Sequence, residues 1–155
     1  WNSREQIVIS GHVSAVEQAL SLISPPRSVI LPVSAPFHSS LLKSAEDKLS
    51  YDLDQVEFKD LSFPIVTNVD AQIIQKGTDA RDALKRQVSR SVLWYESIEL
   101  IGKQGIKAFV ELGAGKVLSG LAKRIGRSWE SQPVVLNVGD WASFEKTDKI
   151  LSGEI

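Results

Sequence analysis

The stretch KAFVELGAGKVLSGLAKRI, residues 107–125, decides the fold. Its first six residues form the short apolar run that is typical of a strand. The glycines at 113–115 favour a tight turn, and residues 116–125 have the pattern of a helix. A strand that passes through a glycine turn directly into a helix is the building unit of α/β proteins. The stretch therefore predicts an α/β architecture with a largely parallel sheet.

The rest of the chain repeats this alternation of strands and helices. Further strands are predicted at 6–10, 28–34, 63–69 and 133–138. Helices are predicted after residue 13, from Ser39, from Thr78 or Asp79 to Val88, and up to Gly105, followed by a weakly amphipathic tail. Ser14 and Glu17 fit a capping box, and Pro25 ends that helix. The strand at 28–34 is mostly apolar and is expected to be covered on both faces.

Composition excludes several classes of function. With 18 basic and 19 acidic residues the net charge is −1, so no whole-molecule field favours nucleic acid or an anionic membrane. The chain has no cysteine and two histidines, which excludes disulfides and thiolate chemistry and disfavours a zinc site. No apolar run is long enough to cross a bilayer, which predicts a soluble protein. The absence of methionine and a start at Trp1 predict that the chain does not begin where translation began.

Polar side chains and glycines follow three predicted strands. They are His38 with its neighbours, Asn68 with Asp70, and the turn at 113–115. Ligands of parallel α/β sheets bind where the strands end, so these groups are expected to face one cleft.

His38 is the strongest candidate for chemistry, because an imidazole exchanges protons near neutral pH, and Pro36 makes the entry to its turn rigid. The alternative is a histidine that fills a strand-to-helix corner and hydrogen-bonds the backbone. His12 follows a glycine at a helix start and is expected to face solvent.

Two further motifs have weaker chemical meaning. GAGKVLSG (113–120) matches neither the phosphate loop nor the dinucleotide fingerprint, which favours a tight turn that lets the helix pack on the sheet. Lys116, Lys123 and Arg127 are spaced to share one helical face. That face is either simply solvated or able to receive an acidic partner.

Several of these stretches resemble the malonyl-CoA:acyl-carrier-protein transacylases of fatty acid synthesis and the related acyltransferase domains of polyketide synthases. The matching segments are NSREQIVISG (2–11), LPVSAPFHSSLLKSAEDKL (31–49), PIVTNVDA (64–71), DALKRQVSRSVLW (82–94) and FVELGAGKVLSGLAKRI (109–125). The resemblance implies that residues 35–155 form the C-terminal part of an α/β-hydrolase-like core. It implies that residues 1–34 form the second half of a small ferredoxin-like subdomain.

The resemblance also implies roles for single residues. A ping-pong acyltransferase would move malonyl from malonyl-CoA to a serine, and then to the phosphopantetheine thiol of acyl carrier protein. His38 would be the general base and acid, oriented by Gln87, in some members through its main-chain carbonyl. Phe37 matches a position that helps select malonyl over methylmalonyl, and Asn2 matches an asparagine near the acyl pocket. Lys116, Lys123 and Arg127 become the expected docking face for the carrier protein.

The nucleophile of the family is missing from these residues. No serine of the chain lies in a Gly-His-Ser-x-Gly elbow. We therefore expect a companion chain or segment to supply the serine, and the chain alone to be incomplete and inactive. No covalently bound cofactor, metal, nucleic acid or membrane partner is expected, and the location is expected to be the cytoplasm, or a plastid or the mitochondrial matrix. The alternatives are a noncatalytic interaction domain, a polyketide synthase acyltransferase domain and a nucleotide-binding domain.

Overall fold

The computed structural model describes residues 1–153. These residues form two compact units, one made of Trp1–Gln6 with the chain from Trp94 onward, and the other of Ile7–Leu93. None of the helices in the described residues is long and apolar enough to cross a membrane. No group of three possible metal ligands occurs within residues 1–153.

The unit Ile7–Leu93 is mainly helical. Its elements are α1 (Val13–Ile23), a short 3-10 helix (Ser40–Leu42), α2 (Lys43–Asp54), β1 (Ile65–Thr67), β2 (Gln72–Ile74) and α3 (Gly77–Gln87). The two strands form an antiparallel hairpin, in which Ile65 pairs with Ile74 and Thr67 with Gln72. Helix α3 packs beside α2, and Ala80 and Ala83 are buried on its inner side.

The other unit contains the parallel sheet. Its elements are α4 (Trp94–Lys103), β3 (Ala108–Leu112), α5 (Val117–Gly126), β4 (Val134–Val138) and α6 (Trp141–Ser152). Strands β3 and β4 are parallel, and α5 connects them as the crossover helix. The apolar core of the unit consists of Ile98, Leu121, Ala122 and Ile125. The structure is thus mixed α/β with a small parallel sheet.

The predicted strands at 6–10 and 28–34 are wrong for this structure. Both segments lack strand pairing, apart from an isolated bridge between Ser3 and Gln6. The expectation that 28–34 is covered on both faces is also wrong, because Val29 and Ile30 are each 68% exposed. An apolar β-branched composition favours an extended backbone, but a strand forms only where a neighbouring strand accepts its hydrogen bonds.

Smaller differences concern helix ends. Helix α1 begins at Val13 with His12 at its N-cap, so the capping box predicted at Ser14 does not form. Its end before Pro25 is confirmed, with Ser24 in the left-handed region. The tail forms α6, where Asp140 and Ser143 make a capping box. The domain boundaries 1–34 and 35–155 stay a prediction, whereas the compact units of this chain divide before Ile7 and after Leu93.

Candidate functional site

His38 lies in a tight corner between the extended segment 28–34 and the 3-10 helix. Its φ is 58°, in the left-handed region that residues with a side chain seldom adopt. The corner is closed by two local hydrogen bonds, from Phe37 N to Ala35 O at 2.9 Å and from Ser39 Oγ to Pro36 O at 2.7 Å. The predicted rigid entry to the turn therefore has a structural basis in these bonds and in the fixed φ of Pro36.

The imidazole of His38 is held by the main chain at the end of α3. Its Nδ1 lies 3.0 Å from the carbonyl oxygen of Gln87. A carbonyl can only accept, so Nδ1 carries the proton and donates it, and in the neutral imidazole Nε2 then holds the lone pair. Within residues 1–153, Nε2 makes no hydrogen bond, and the residue is exposed. The arrangement can accept a proton from an approaching hydroxyl or thiol.

The side chain of Gln87 has different hydrogen-bond partners from its main-chain carbonyl. Its Nε2 donates to the carbonyl oxygens of Arg90 at 3.1 Å and Ser91 at 3.3 Å. These bonds close the turn that follows α3 and satisfy two carbonyls of that turn. The side chain therefore shapes the segment, while the main chain contacts the imidazole.

A buried carboxylate next to this segment was not predicted from the sequence. Glu46 of α2 is 7% exposed, and it accepts hydrogen bonds from Lys43 Nζ at 2.5 Å and from the hydroxyl of Ser89. The bond from Lys43, and next the bond from Ser89, lower the pKa of Glu46, whereas burial raises it. In the sequence Glu46 lies among the charged residues Lys43, Asp47 and Lys48, a pattern that is typical of a solvated helix face and does not indicate burial.

Asp70, a candidate from the sequence, is engaged in an ion pair. Arg86 donates to its two carboxylate oxygens at 2.7 and 2.6 Å, and Arg86 also donates to Asp82 at 2.7 Å. The bonds from Arg86 lower the pKa of Asp70. This fork ties the β1–β2 turn to the last turn of α3, beside an open cavity of about 300 Å³. Asp70 is thus a structural group rather than a free carboxylate.

The other unit holds the glycine turn, which is built as a tight turn. Glu111 of β3 accepts from the main-chain N–H groups of Leu118 at 3.2 Å and Ser119 at 2.8 Å. These amides at the start of α5 are the groups that a bound phosphate would need. Asn137 donates to the carbonyl of Gly115 at 2.8 Å, and Gly115 has a φ of 88° that favours glycine.

The remaining predicted residues are distributed over both units. Phe37 precedes His38 and is 51% exposed. Asn2 belongs to the unit of the parallel sheet, where its main-chain N–H donates to Gln6 O at 2.9 Å. Lys116 is the N-cap of α5, Lys123 lies in its last turn and Arg127 is its C-cap, and all three are exposed. The three therefore extend along the whole length of α5.

The site points first to a class of protein. An imidazole with one nitrogen held by an acceptor and the other open is the arrangement that enzymes with a serine or thiol nucleophile use. The comparisons with known proteins then show which proteins the chain is similar to. The chain is 43% identical over 128 residues to the malonyl CoA-acyl carrier protein transacylase of Escherichia coli K12, an alignment that covers 81% of this chain and 41% of that protein.

Solved structures of malonyl transacylases are also similar to this chain. The crystal structure of the malonyl CoA-acyl carrier protein transacylase from Clostridium perfringens matches with a TM-score of 0.90 at 37% identity, over 99% of this chain and 48% of the other. A malonyl-transacylase in complex with a type II PKS acyl-carrier protein matches with a TM-score of 0.80 at 39% identity, over 88% of this chain and 44% of the other. No family model matches the sequence.

By sequence and structure the chain is homologous to the C-terminal portion of the malonyl CoA-acyl carrier protein transacylases, which confirms the resemblance. It spans less than half the length of these relatives.

Proposed function

We propose that this chain carries the imidazole of a malonyl-CoA:acyl carrier protein transacylase. The observation that supports this most directly is the hydrogen bond from His38 Nδ1 to the carbonyl of Gln87, at 3.0 Å. It leaves Nε2 as the proton acceptor, which is the state a general base needs. The relatives named for this activity include one that was solved in complex with an acyl-carrier protein.

The proposed reaction has two balanced steps. In the first, His38 Nε2 takes the proton of a serine hydroxyl as the oxygen attacks malonyl-CoA, and the coenzyme A thiol leaves with that proton. In the second, the phosphopantetheine thiol of acyl carrier protein gives its proton to Nε2 and attacks the malonyl ester, and the serine recovers the proton. The protein needs no covalently bound cofactor for either step.

The serine of this proposal belongs to polypeptide outside the 155 residues. No serine of the chain has a Gly-His-Ser-x-Gly context. The chain alone is therefore proposed to be inactive and to require a companion segment. In that larger protein, residues 35–155 would belong to an α/β-hydrolase-like core and residues 1–34 to a ferredoxin-like subdomain, in the cytoplasm.

Phe37 is proposed to limit the size of the acyl group. It precedes His38 directly, and a bulky aromatic ring there leaves less room for the extra methyl of methylmalonyl. One methyl in an apolar pocket changes the discrimination by about 10- to 200-fold. Asn2 is proposed to line the acyl pocket in the same larger protein.

The test of the proposed function is complementation in trans. The N-terminal portion of a relative, with its serine elbow, is mixed with this chain, and radiolabelled malonyl transfer to holo acyl carrier protein is followed. His38→Ala should abolish transfer with the fold retained. His12→Ala is the matched control, because His12 is exposed and its side chain makes no capping bond in α1. Transfer that survives His38→Ala contradicts the proposal and favours a noncatalytic interaction domain.

The carrier protein is proposed to dock on the basic residues of α5. Lys123→Glu with Arg127→Glu should weaken transfer to the carrier and spare malonyl loading from coenzyme A, because carrier binding depends on charge complementarity. The control is Lys146→Glu with Lys149→Glu on α6, which reverses two exposed charges elsewhere. Equal losses in both half-reactions count against docking at this helix.

A further inference from the structure

A buried hydrogen bond links the two segments that meet at His38. Glu46 lies eight residues after His38 in α2, and Ser89 lies two residues after Gln87, just beyond α3. The Ser89 hydroxyl donates to Glu46 Oε2, and both residues are only 7% exposed. The segment that contains His38 and α2 is thus joined to the end of α3 by two hydrogen bonds, His38 to Gln87 and Ser89 to Glu46.

The burial of Glu46 calls for a physical reason. It is the only buried residue that α2 shows within the described chain, since the apolar residues of this helix are partly or largely exposed. A carboxylate is very seldom buried unless it is paired, because desolvation is costly. Here one oxygen accepts from Lys43 and the other from Ser89, so both are satisfied. Helix α2 therefore contacts the segment after α3 through a polar contact of defined direction.

Two hydrogen bonds, at Gln87 and at Ser89, fix the orientation of the segment after α3 more fully than one bond would. The bond from His38 holds the Gln87 carbonyl at one point, the last residue of α3. The bond from Ser89 to Glu46 anchors the same segment two residues further on. The bonds from the Gln87 side chain to Arg90 and Ser91 make the segment between them stiff.

We propose that Glu46 and Ser89 are positioning residues, which hold the main-chain carbonyl of Gln87 on Nδ1 of His38 and so keep Nε2 free to accept a proton. This inference rests on the proposed function for its catalytic meaning. The structural part concerns this chain alone. Lys43 and Arg90 are the charged groups that face Glu46, and Asp47 shares Lys43 with it.

The consequence is a defined tautomer. While the carbonyl stays on Nδ1, the proton stays on Nδ1. If the carbonyl moves away, the proton distributes between the two nitrogens, and part of the population loses the lone pair on Nε2. The loss would lower kcat, since fewer molecules hold a competent base, and leave KM for malonyl-CoA nearly unchanged.

The experiment measures the ring nitrogens of the full chain by ¹⁵N NMR. The chain has only two histidines, so His12, which is exposed, serves as an internal reference. In the unmodified chain, His38 should show a protonated Nδ1 and a bare Nε2. Ser89→Ala and Glu46→Met should shift His38 toward the mixture that His12 shows, with exchange of the Nδ1 proton roughly tenfold faster, which corresponds to about 1.4 kcal/mol.

Matched variants separate this role from a general loss of stability. Asp52→Asn removes an exposed negative charge of the same helix, and Ser91→Ala removes an exposed hydroxyl after α3. Neither change should alter the His38 tautomer. Ser89→Thr keeps the hydroxyl, so His38 should again show a protonated Nδ1 and a bare Nε2. The amide spectrum reports whether each variant is folded. If Glu46→Met does not fold, the smaller change Ser89→Ala decides.

The outcomes distinguish this inference from the proposed function. A folded Ser89→Ala chain with an unchanged His38 tautomer overturns the positioning role, even if His38→Ala abolishes transfer. A tautomer that responds to Ser89→Ala supports the positioning role. In that case, transfer that survives His38→Ala would overturn the proposed function alone.

Discussion

Within residues 1–153, three residues with a side chain adopt left-handed backbone conformations, and their surroundings differ. Ser24 ends α1 at a φ of 44°, and His38 turns the corner at 58°. Ala71, at a φ of 50°, lies in the β1–β2 turn, where its N–H donates to Thr67 O at 2.8 Å. For a residue with a Cβ this region costs about 1–2 kcal/mol. At His38 the strained corner carries the imidazole that is proposed as the base, whereas Ala71 carries only a methyl group.

Ala71→Gly should therefore stabilise the chain. Glycine removes the clash of the Cβ in the left-handed region but loses more conformational entropy on folding, so the expected net gain is about 0.5–1 kcal/mol. Urea unfolding measures it. The same substitution at Ala45, an exposed position inside α2, should instead destabilise by about 1 kcal/mol. A loss of stability in both variants would contradict the assigned backbone strain.

The candidate residues could be predicted from the sequence to different extents. The position of His38 at a rigid corner follows from Pro36 and from the change of pattern around it. The contact with the Gln87 carbonyl spans 49 residues and came only from the family resemblance. Glu46 was missed because charge and spacing place it on the polar face of α2. Its burial depends on Ser89, which is 43 residues away in the chain.

At the scale of elements, α2 and α3 are joined to their neighbours by carboxylates whose charged form is stabilised. The pKa of Glu46 is lowered from 4.5, mainly by Lys43, and the pKa of Asp70 is lowered from 3.8 by Arg86. When the folded pKa is below the unfolded one, the stabilisation is complete above the unfolded pKa. It is lost as the pH falls through the folded pKa.

The free energy of unfolding should therefore decrease as the pH falls from about 5 to 3. Glu46→Gln removes one of the titrating groups, so its stability should be lower at pH 7 and should change less over this range. Denaturant unfolding at several pH values measures both effects. Ser44→Ala, which changes an exposed and uncharged residue of the same helix, should keep the pH dependence of the unmodified chain. An equal slope for Glu46→Gln and the unmodified chain would argue against the ion pair.

Helix α4 packs closely against Trp129 at one glycine. A Cβ added to Gly102 would overlap the ring of Trp129, whose Nε1 donates to Glu99 at 3.0 Å and holds the ring in place. Gly102→Ala should therefore destabilise by about 1–3 kcal/mol, as overpacking does. Gly120→Ala in α5 is the matched control, because a Cβ there meets nothing within 4 Å. That helical substitution should stabilise by up to about 1 kcal/mol, and thermal unfolding of both variants tests the pair.

The elements that could be predicted are those with local determinants. The bounds of β3, α5 and β4 lie within one or two residues of the predicted ones, because strand, glycine turn and helix follow each other directly in the sequence. The hairpin strand β2 was missed, since QII (72–74) is too short to show a period. The segments 6–10 and 28–34 carry a strand composition without a strand. Pairing is decided by a partner, which local composition does not contain.

At the scale of the whole molecule, many large apolar side chains of the unit Ile7–Leu93 are exposed to solvent. The large apolar residues of its two extended segments are all at least 45% exposed; they are Ile7, Val8, Ile9, Val29, Ile30, Leu31 and Val33. Folded monomers seldom leave so many large aliphatic side chains in water, because each one forgoes about 1.5–3 kcal/mol of burial. The folded chain should therefore offer binding sites for apolar probes.

The dye ANS, which fluoresces on exposed apolar surface, should consequently bind to the native chain at neutral pH. Val29→Lys with Leu31→Lys should reduce this fluorescence, because two aliphatic side chains of the segment are replaced by charged ones while their backbone makes no strand pairing to disturb. Ile106→Lys, at a residue 47% exposed in the other unit, should have a smaller effect. Far-UV circular dichroism confirms that the variants stay folded. Equal fluorescence from the double variant and the unmodified chain would place the dye elsewhere and leave the two segments without a role in binding it.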